Sequence, residues 1–191
     1  MGISRYCGDR SKDVGEDRQA YRIASRRFVV PARNPQILRC GSNLTSALKT
    51  WPWALERLEK SHNYWIATTR PQGSPHLMLV WGVWWEDAFW FSTGPHTRKA
   101  KNIAAAPHCV VGTEDAAEAV ILEGTAQEIK GRSIWKRFAE VYNHKYGGNV
   151  EPILDSCGGC VFRIEPLLAF GQDEHAANFI EAVTRWKFQQ T

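Results

Sequence analysis

Between Phe91 and Ile103 the chain reads FSTGPHTRKAKNI. An apolar strand end, Phe89 to Phe91, runs into Ser92, Thr93 and Gly94. A helix then opens with Arg98, Lys99 and Lys101 in its first turns. Hydroxyls, free backbone N–H groups and cations converging at one helix start are the ingredients of a phosphate site. Cations at that position oppose the helix dipole unless an anion is held there. Ser92, Thr93, Arg98, Lys99 and Lys101 are therefore the candidate phosphate ligands, and Thr97 adds a hydroxyl or caps the helix. Arg98 can bind bidentately, while the lysines act as point charges. Arg98 and Lys101 share a helical face, from which the adjacent Lys99 diverges. The competing reading of the same residues is a surface helix with a solvated basic face. No acid–base pair or nucleophile triad stands out elsewhere, so no catalytic residue is assigned. His76, a single histidine after a turn, reads as surface structure.

The elements that must position this segment are mostly strands. Leu44 to Lys60 reads as a helix, with Thr50 as its cap and Pro52 in its first turn. Tyr64 to Thr69 is a strand, and Arg70-Pro71-Gln72-Gly73 is a tight turn. Leu77 to Trp85 reads as one strand, apolar on nearly every residue, which predicts that both its faces are covered. Glu86-Asp87 turns the chain into a strand from Ala88 to Ser92. The cationic helix stops at Pro107. Strands follow at Cys109–Thr113 and Ala119–Glu128, then an amphipathic helix from Ser133 to Tyr146. After a loop from Gly147 to Gly159 come a strand from Cys160 to Phe170 and a short closing strand, Val183 to Phe188. Sequential strands, short turns and few helices point to an antiparallel barrel.

A chain of 191 residues fits one domain with a proper core. All nine Trp lie after Thr50, which places the packed body there. Residues 1–43 hold nine Lys/Arg against four Asp/Glu, net +5, so the formal +4 of the whole chain comes from this segment alone. We read 1–43 as a disordered basic extension and 44–191 as the folded domain. A basic tail on a near-neutral body argues against a nucleic-acid-binding fold. No apolar run in the tail is long enough for a signal peptide or membrane span, so a cytoplasmic protein without membrane partners is expected. Cys157 and Cys160 form the only close cysteine pair. No second such pair exists to complete a zinc site, so no metal is expected and the thiols are read as reduced.

Four local matches, in order, carry a resemblance across residues 50–188. They are Ile66-Ala67-Thr68-Thr69 with the Pro71-to-His76 turn, the run from His76 to Trp84, the phosphate segment, and Val120-Ile121-Leu122-Glu123-Gly124-Thr125-Ala126. The chain resembles the pyridoxamine 5'-phosphate oxidase-like split-barrel flavoproteins, and Thr184 to Phe188 is similar to a common terminus in one branch. The resemblance implies a mainly β fold, a six-stranded antiparallel Greek-key split barrel with peripheral helices. It implies a homodimer with a cofactor in each of two interfacial clefts: FMN, alternatively the deazaflavin coenzyme F-420, less often haem. By the same resemblance Met78, Leu79 and Val80 pass alongside the ring, the alternative being ordinary core; Arg185 and Trp186 either reach the partner's cofactor or form a strand edge with an exposed Arg. Trp81, Trp84, Trp85 and Trp90 belong to core or interface. The C-terminal dimerisation and substrate-binding segment of the authentic oxidase is not found, so the wider family is the expectation. The implied activity is hydride transfer between the ring and a small organic substrate, with a non-catalytic flavin- or haem-binding module as the alternative.

Overall fold

The structure is a computed structural model that describes residues 35–38, 48–150, 158–176 and 183–189. Its strands are β1 (Gln36–Ile37), β2 (Tyr64–Thr69), β3 (Pro75–Val80), β4 (Gly82–Trp85), β5 (Ala88–Thr93), β6 (His108–Thr113), β7 (Glu118–Ile129), β8 (Cys160–Asp173) and β9 (Thr184–Lys187). Its helices are α1 (Trp51–Lys60), α2 (Arg98–Ala105) and α3 (Arg132–Tyr146). Every strand pairing is antiparallel. The sheet runs β1-β9-β8-β7-β6-β2-β3, with β5 joined to β8 and β4 joined to β5. No ladder joins β3 to β4 among the described residues, so the sheet curls without closing.

The mainly β split barrel expected from the sequence is what forms, with nine strands among the described residues rather than six. Two causes account for the difference. The run Leu77–Trp85 breaks at Trp81 into β3, paired with β2, and β4, paired with β5. The short β1 and β9 extend the edge beside β8. Gln36 and Ile37 lie within the segment read as disordered, yet they pair with Lys187 and Trp186. That segment is thus in part a strand of the body, and the boundary at residue 44 is corrected there. The rest of the expected extension, with Cys7 and Cys40, lies outside the described residues. So do residues 44–47 of the expected first helix and Cys157.

Helix α1 starts at Trp51. Thr50 stands at its N-cap in an extended conformation without a side-chain capping bond, and Pro52 sits in the first turn. Trp51, Ala54 and Leu58 form its buried stripe and pack into a core with Tyr64, Ile66, Val80, Phe89, Phe91, Val111, Leu122, Ile164 and Trp186. Trp51 meets Trp84, Trp186 and Phe188 edge-on, with centroids 5.8, 5.6 and 5.1 Å away. These aromatic contacts hold β9 and Phe188 against α1.

A second core lies between α3 and the strands β4 and β5. It joins Val83, Trp85, Ala88, Trp90 and Val161 to Phe138 and Ala139. Both faces of β4 are therefore buried, as continuous apolarity predicts. Strand β3 gets no such cover: Leu77 is 56% exposed and Leu79 is 49% exposed. The Glu86-Asp87 turn between β4 and β5 holds both residues at positive φ, 48° and 53°, as a tight hairpin requires. In β7 the register shifts between Glu123 and Gly124. A Cβ on Gly124 would lie 2.4 Å from the Glu165 carbonyl oxygen, so only glycine lets the two backbones approach at this bulge.

Candidate functional site

The cationic segment folds as a strand-to-helix corner. β5 ends at Thr93, Gly94 and Pro95 turn the chain, and Thr97 caps α2 by accepting from Ala100 N at 3.4 Å. Thr97 Oγ1 also donates to the Gly94 carbonyl at 2.9 Å and stands 3.2 Å from Thr93 Oγ1. Two hydroxyls and the helix start thus share one corner, with no acidic residue in the first turn of α2. The helix is docked by the buried side chains of Ala100, Asn102 and Ile103. Asn102 Nδ2 donates to Thr68 Oγ1 of β2 at 3.0 Å. That bond fixes the middle of α2 against the β2–β3 hairpin.

The three cations differ in setting. Arg98 and Lys101 are exposed and Lys99 is partly buried. Burial lowers the Lys99 amine below its ordinary value, and no carboxylate offsets it. Among the described residues, none of the three forms an ion pair. The sequence paired Arg98 with Lys101. In the fold Arg98 and Lys99 lie close enough to His76 for both charges to act on it, together with Arg70. Burial comes first and those three positive charges follow in pushing the His76 imidazole below its ordinary value. His76 Nδ1 is buried without a hydrogen-bond partner. Sequence reasoning passed over His76 and Arg70. The signal is visible only in the register that sets His76 opposite Thr68, the residue to which α2 is bonded.

From His76 the outer edge of β3 runs on to Val80. His76, Met78 and Val80 alternate on the face shared with Thr68, Ile66 and Tyr64. Val80 is buried in the core, but Met78 is 45% exposed, and among the described residues no strand pairs with the other edge of β3. Leu79 points to the opposite face with Trp65. The trio Met78, Leu79, Val80 is therefore divided: Val80 in the core, Met78 half exposed on the same face and Leu79 on the outer face. Ser92 is partly exposed at the end of β5. Arg185 is exposed, 5.3 Å above the Phe170 ring. Trp186 corrects the expectation. It is fully buried in the core of the chain, against Trp51 and Gly171, and presents no surface to a partner.

The other end of β3 carries a second polar cluster. Trp81, half exposed, stacks on Tyr146 with centroids 4.9 Å apart and 6° between planes, and its Nε1 donates to Asn63 Oδ1 at 3.0 Å. Lys145 Nζ donates to Tyr64 Oη at 2.6 Å and to the Gly82 carbonyl at 3.2 Å. Burial pushes the Lys145 amine down to about 8. Trp84, Trp85 and Trp90 are core residues.

A cleft of about 260 Å³ lies near the end of α1, lined by residues that include Arg57, Lys60, Glu114 and Glu118. Its charges are largely satisfied internally: Arg57 pairs with Glu118 at 2.6 Å, and Glu114 accepts from Asn63 Nδ2 at 2.6 Å. Cys109 is buried and its thiol is pushed up to about 12, so it is inert as a nucleophile. No group of three or more His, Cys, Asp or Glu suited to a metal occurs among the described residues, and no helix there is long and apolar enough to cross a membrane.

Comparison with known proteins bears on this corner and barrel. A family model described as pyridoxamine 5'-phosphate oxidase matches residues 52–180. No match was found among curated proteins. Among solved structures, an F420 reductase is 22% identical, with a TM-score of 0.51 over 60% of this chain and 93% of that one. HutZ, the heme storage protein from Vibrio cholerae, is 17% identical, with a TM-score of 0.51 over 60% and 88%. A conserved hypothetical protein from Mycobacterium tuberculosis is 20% identical, with a TM-score of 0.59 over 70% and 91%. At these identities the structural likenesses establish the fold.

Proposed function

This chain belongs to the pyridoxamine 5'-phosphate oxidase family, and from that premise we propose that it is an oxidoreductase that binds FMN or the deazaflavin coenzyme F-420. The observation that carries the reading is Lys99: a partly buried lysine with no carboxylate partner, beside Arg98 and two threonine hydroxyls at a helix start. Such a group stays charged at low cost only when an anion joins it. The residues fit a phosphate. Thr93, Arg98 and Lys99 would hold it, with Thr97 fixing the corner. Lys101, further along the helix and exposed, adds long-range attraction.

The bound ring supplies hydride chemistry; the protein's part is to bind, orient and shield it. Met78, half exposed, offers the ring an adaptable apolar surface, and the edge of β3, unpaired among the described residues, leaves backbone groups for the ring's polar rim. The substrate on this reading is a small organic molecule, the active unit is a homodimer, and the protein works in the cytoplasm. The outer face of β3 supports the dimer, because Leu77, Leu79 and Trp65 stand exposed on it together. Arg185, exposed near that sheet's edge, is the remaining candidate for reaching a partner's cofactor.

The second reading is a non-catalytic flavin- or haem-binding module. It is supported by the absence of an acid–base pair at the corner and by the likeness to the heme storage protein. The absorbance spectrum of the purified protein tests both, since flavin, deazaflavin and haem absorb in different regions. A flavin or deazaflavin band, with turnover against a panel of small oxidants and reductants, is the expected result. A haem spectrum, or a tightly bound flavin without any turnover, would replace the first reading with the second.

A further inference from the structure

We propose that His76 is a ligand of the phosphate held at the start of α2, and that it takes up a proton when a phosphate monoester binds. The inference rests on the phosphate reading above and goes beyond it, by adding a residue and a linked equilibrium.

The geometry comes first. His76 stands opposite Thr68 in the β2–β3 ladder. Thr68 Oγ1 accepts from Asn102 of α2 at 3.0 Å, so α2 and the His76 position are tied to one point on β2. Two buried polar atoms on the two sides of that point lack partners: His76 Nδ1 and Asn102 Oδ1. Buried polar atoms are almost always hydrogen-bonded in finished structures. Asn102 is fully enclosed, but His76 is partly exposed and so open to a ligand.

The charges give the direction. Arg70 acts on His76 from the β2–β3 turn, and Arg98 and Lys99 act from α2; Thr68 and Asn102 are uncharged. No carboxylate acts on it. Burial and three like charges therefore disfavour the imidazolium in the free protein. A phosphate monoester carries about −1.5 to −2 charges at neutral pH and offers acceptor oxygens. Placed among the three cations, it offsets their repulsion and accepts an imidazole N–H bond. Both effects favour the imidazolium. The added proton comes from solvent, and no other reactant is needed. By linkage, FMN then binds more tightly to the protein with His76 protonated.

The test follows the His76 imidazole by NMR, with its resonance assigned through its own backbone so that no substitution is required. In the free protein its midpoint should lie below 6.5. Saturation with FMN should raise it by about one pH unit or more, a tenfold preference of the bound state for the imidazolium, and riboflavin should not. Calorimetry in buffers of different ionisation heat should show net proton uptake on FMN binding. His76→Gln should abolish it, and His76→Lys should bind FMN without it. If FMN shifts the Arg98 and Lys99 amides but leaves the imidazole midpoint in place, the role of His76 is overturned and the phosphate site stands. If FMN perturbs neither the amides nor the imidazole, both are overturned. An equal response to riboflavin would also remove the phosphate linkage.

Discussion

Lys99 is placed where a lysine without a counterion is costly, and Lys101 is not. Lys99→Ala should therefore weaken FMN binding by ~1.5–3 kcal/mol, the scale of a charge-assisted hydrogen bond, with Arg98→Ala similar and Lys101→Ala much smaller. Riboflavin affinity should hardly change; fluorescence quenching titrations compare the two ligands directly. The hydroxyls and cations of this corner were legible in the sequence because they are neighbours in the chain. The ranking of Lys99 above Lys101 was not, since it depends on which side of α2 meets the β2–β3 hairpin. Lys145 supplies a second, independent expectation. Its folded value of about 8 lies below the ordinary 10.5. Between those values the unfolded chain binds more protons than the folded one, so stability rises with pH across that window. Below about 8 the cost of the buried charge is fully present. Urea denaturation of the wild type from pH 7 to 10 should show this rise, and Lys145→Met should flatten it.

The elements were legible where local pattern decides and obscure where a distant partner does. The Leu77–Trp85 run shows no interruption in hydropathy, yet it divides at Trp81, because β4 is claimed by β5 and α3 while β3 stays with β2. Nothing within the run itself marks which half α3 will cover. The pairing of β1 with β9 joins residues far apart in the chain, and a two-residue strand leaves almost no periodicity to read. Trp186 illustrates the same limit. A terminal aromatic can serve an interface or a core, and only the close approach of Gly171 and Trp51 decides for the core. The Gly124 bulge, in contrast, lies in a stretch the sequence singled out. Gly124→Ala should destabilise the fold by ~2–3 kcal/mol, because the obstructing atom is the Glu165 backbone oxygen and cannot swing aside. Gly112→Ala in the neighbouring strand β6, where an added Cβ meets nothing, is the matched control. Comparing their urea midpoints separates close approach from the general effect of losing a glycine.

At the scale of the whole molecule the unexplained feature is an apolar row across the outer face of the sheet. The registers align Leu79 of β3, Trp65 of β2, Gly112 of β6, Ile121 of β7 and Phe170 of β8, with Leu77 beside it. Leu77, Leu79, Trp65 and Ile121 are all large apolar side chains left exposed by the protomer. Exposed apolar residues scattered singly need no explanation, but a contiguous row of them marks an interaction surface. A second copy of the chain is the occupant we expect, because the row adjoins the free edge of β3. A two-fold partner seated there would also reach around that edge toward Met78, which the single chain leaves 45% exposed. Sedimentation at micromolar concentration should therefore show a dimer. Leu79→Lys places a charge at the row's end without touching the core, and it should yield a folded monomer with a native circular dichroism spectrum. If the cofactor site is completed by the partner, that monomer should also bind FMN at least tenfold more weakly, although Arg98, Lys99 and Thr93 remain intact. A wild-type monomer that binds FMN tightly would remove both the dimer and the shared site. A Leu79→Lys monomer with undiminished affinity would keep the dimer and confine the cofactor site to one chain.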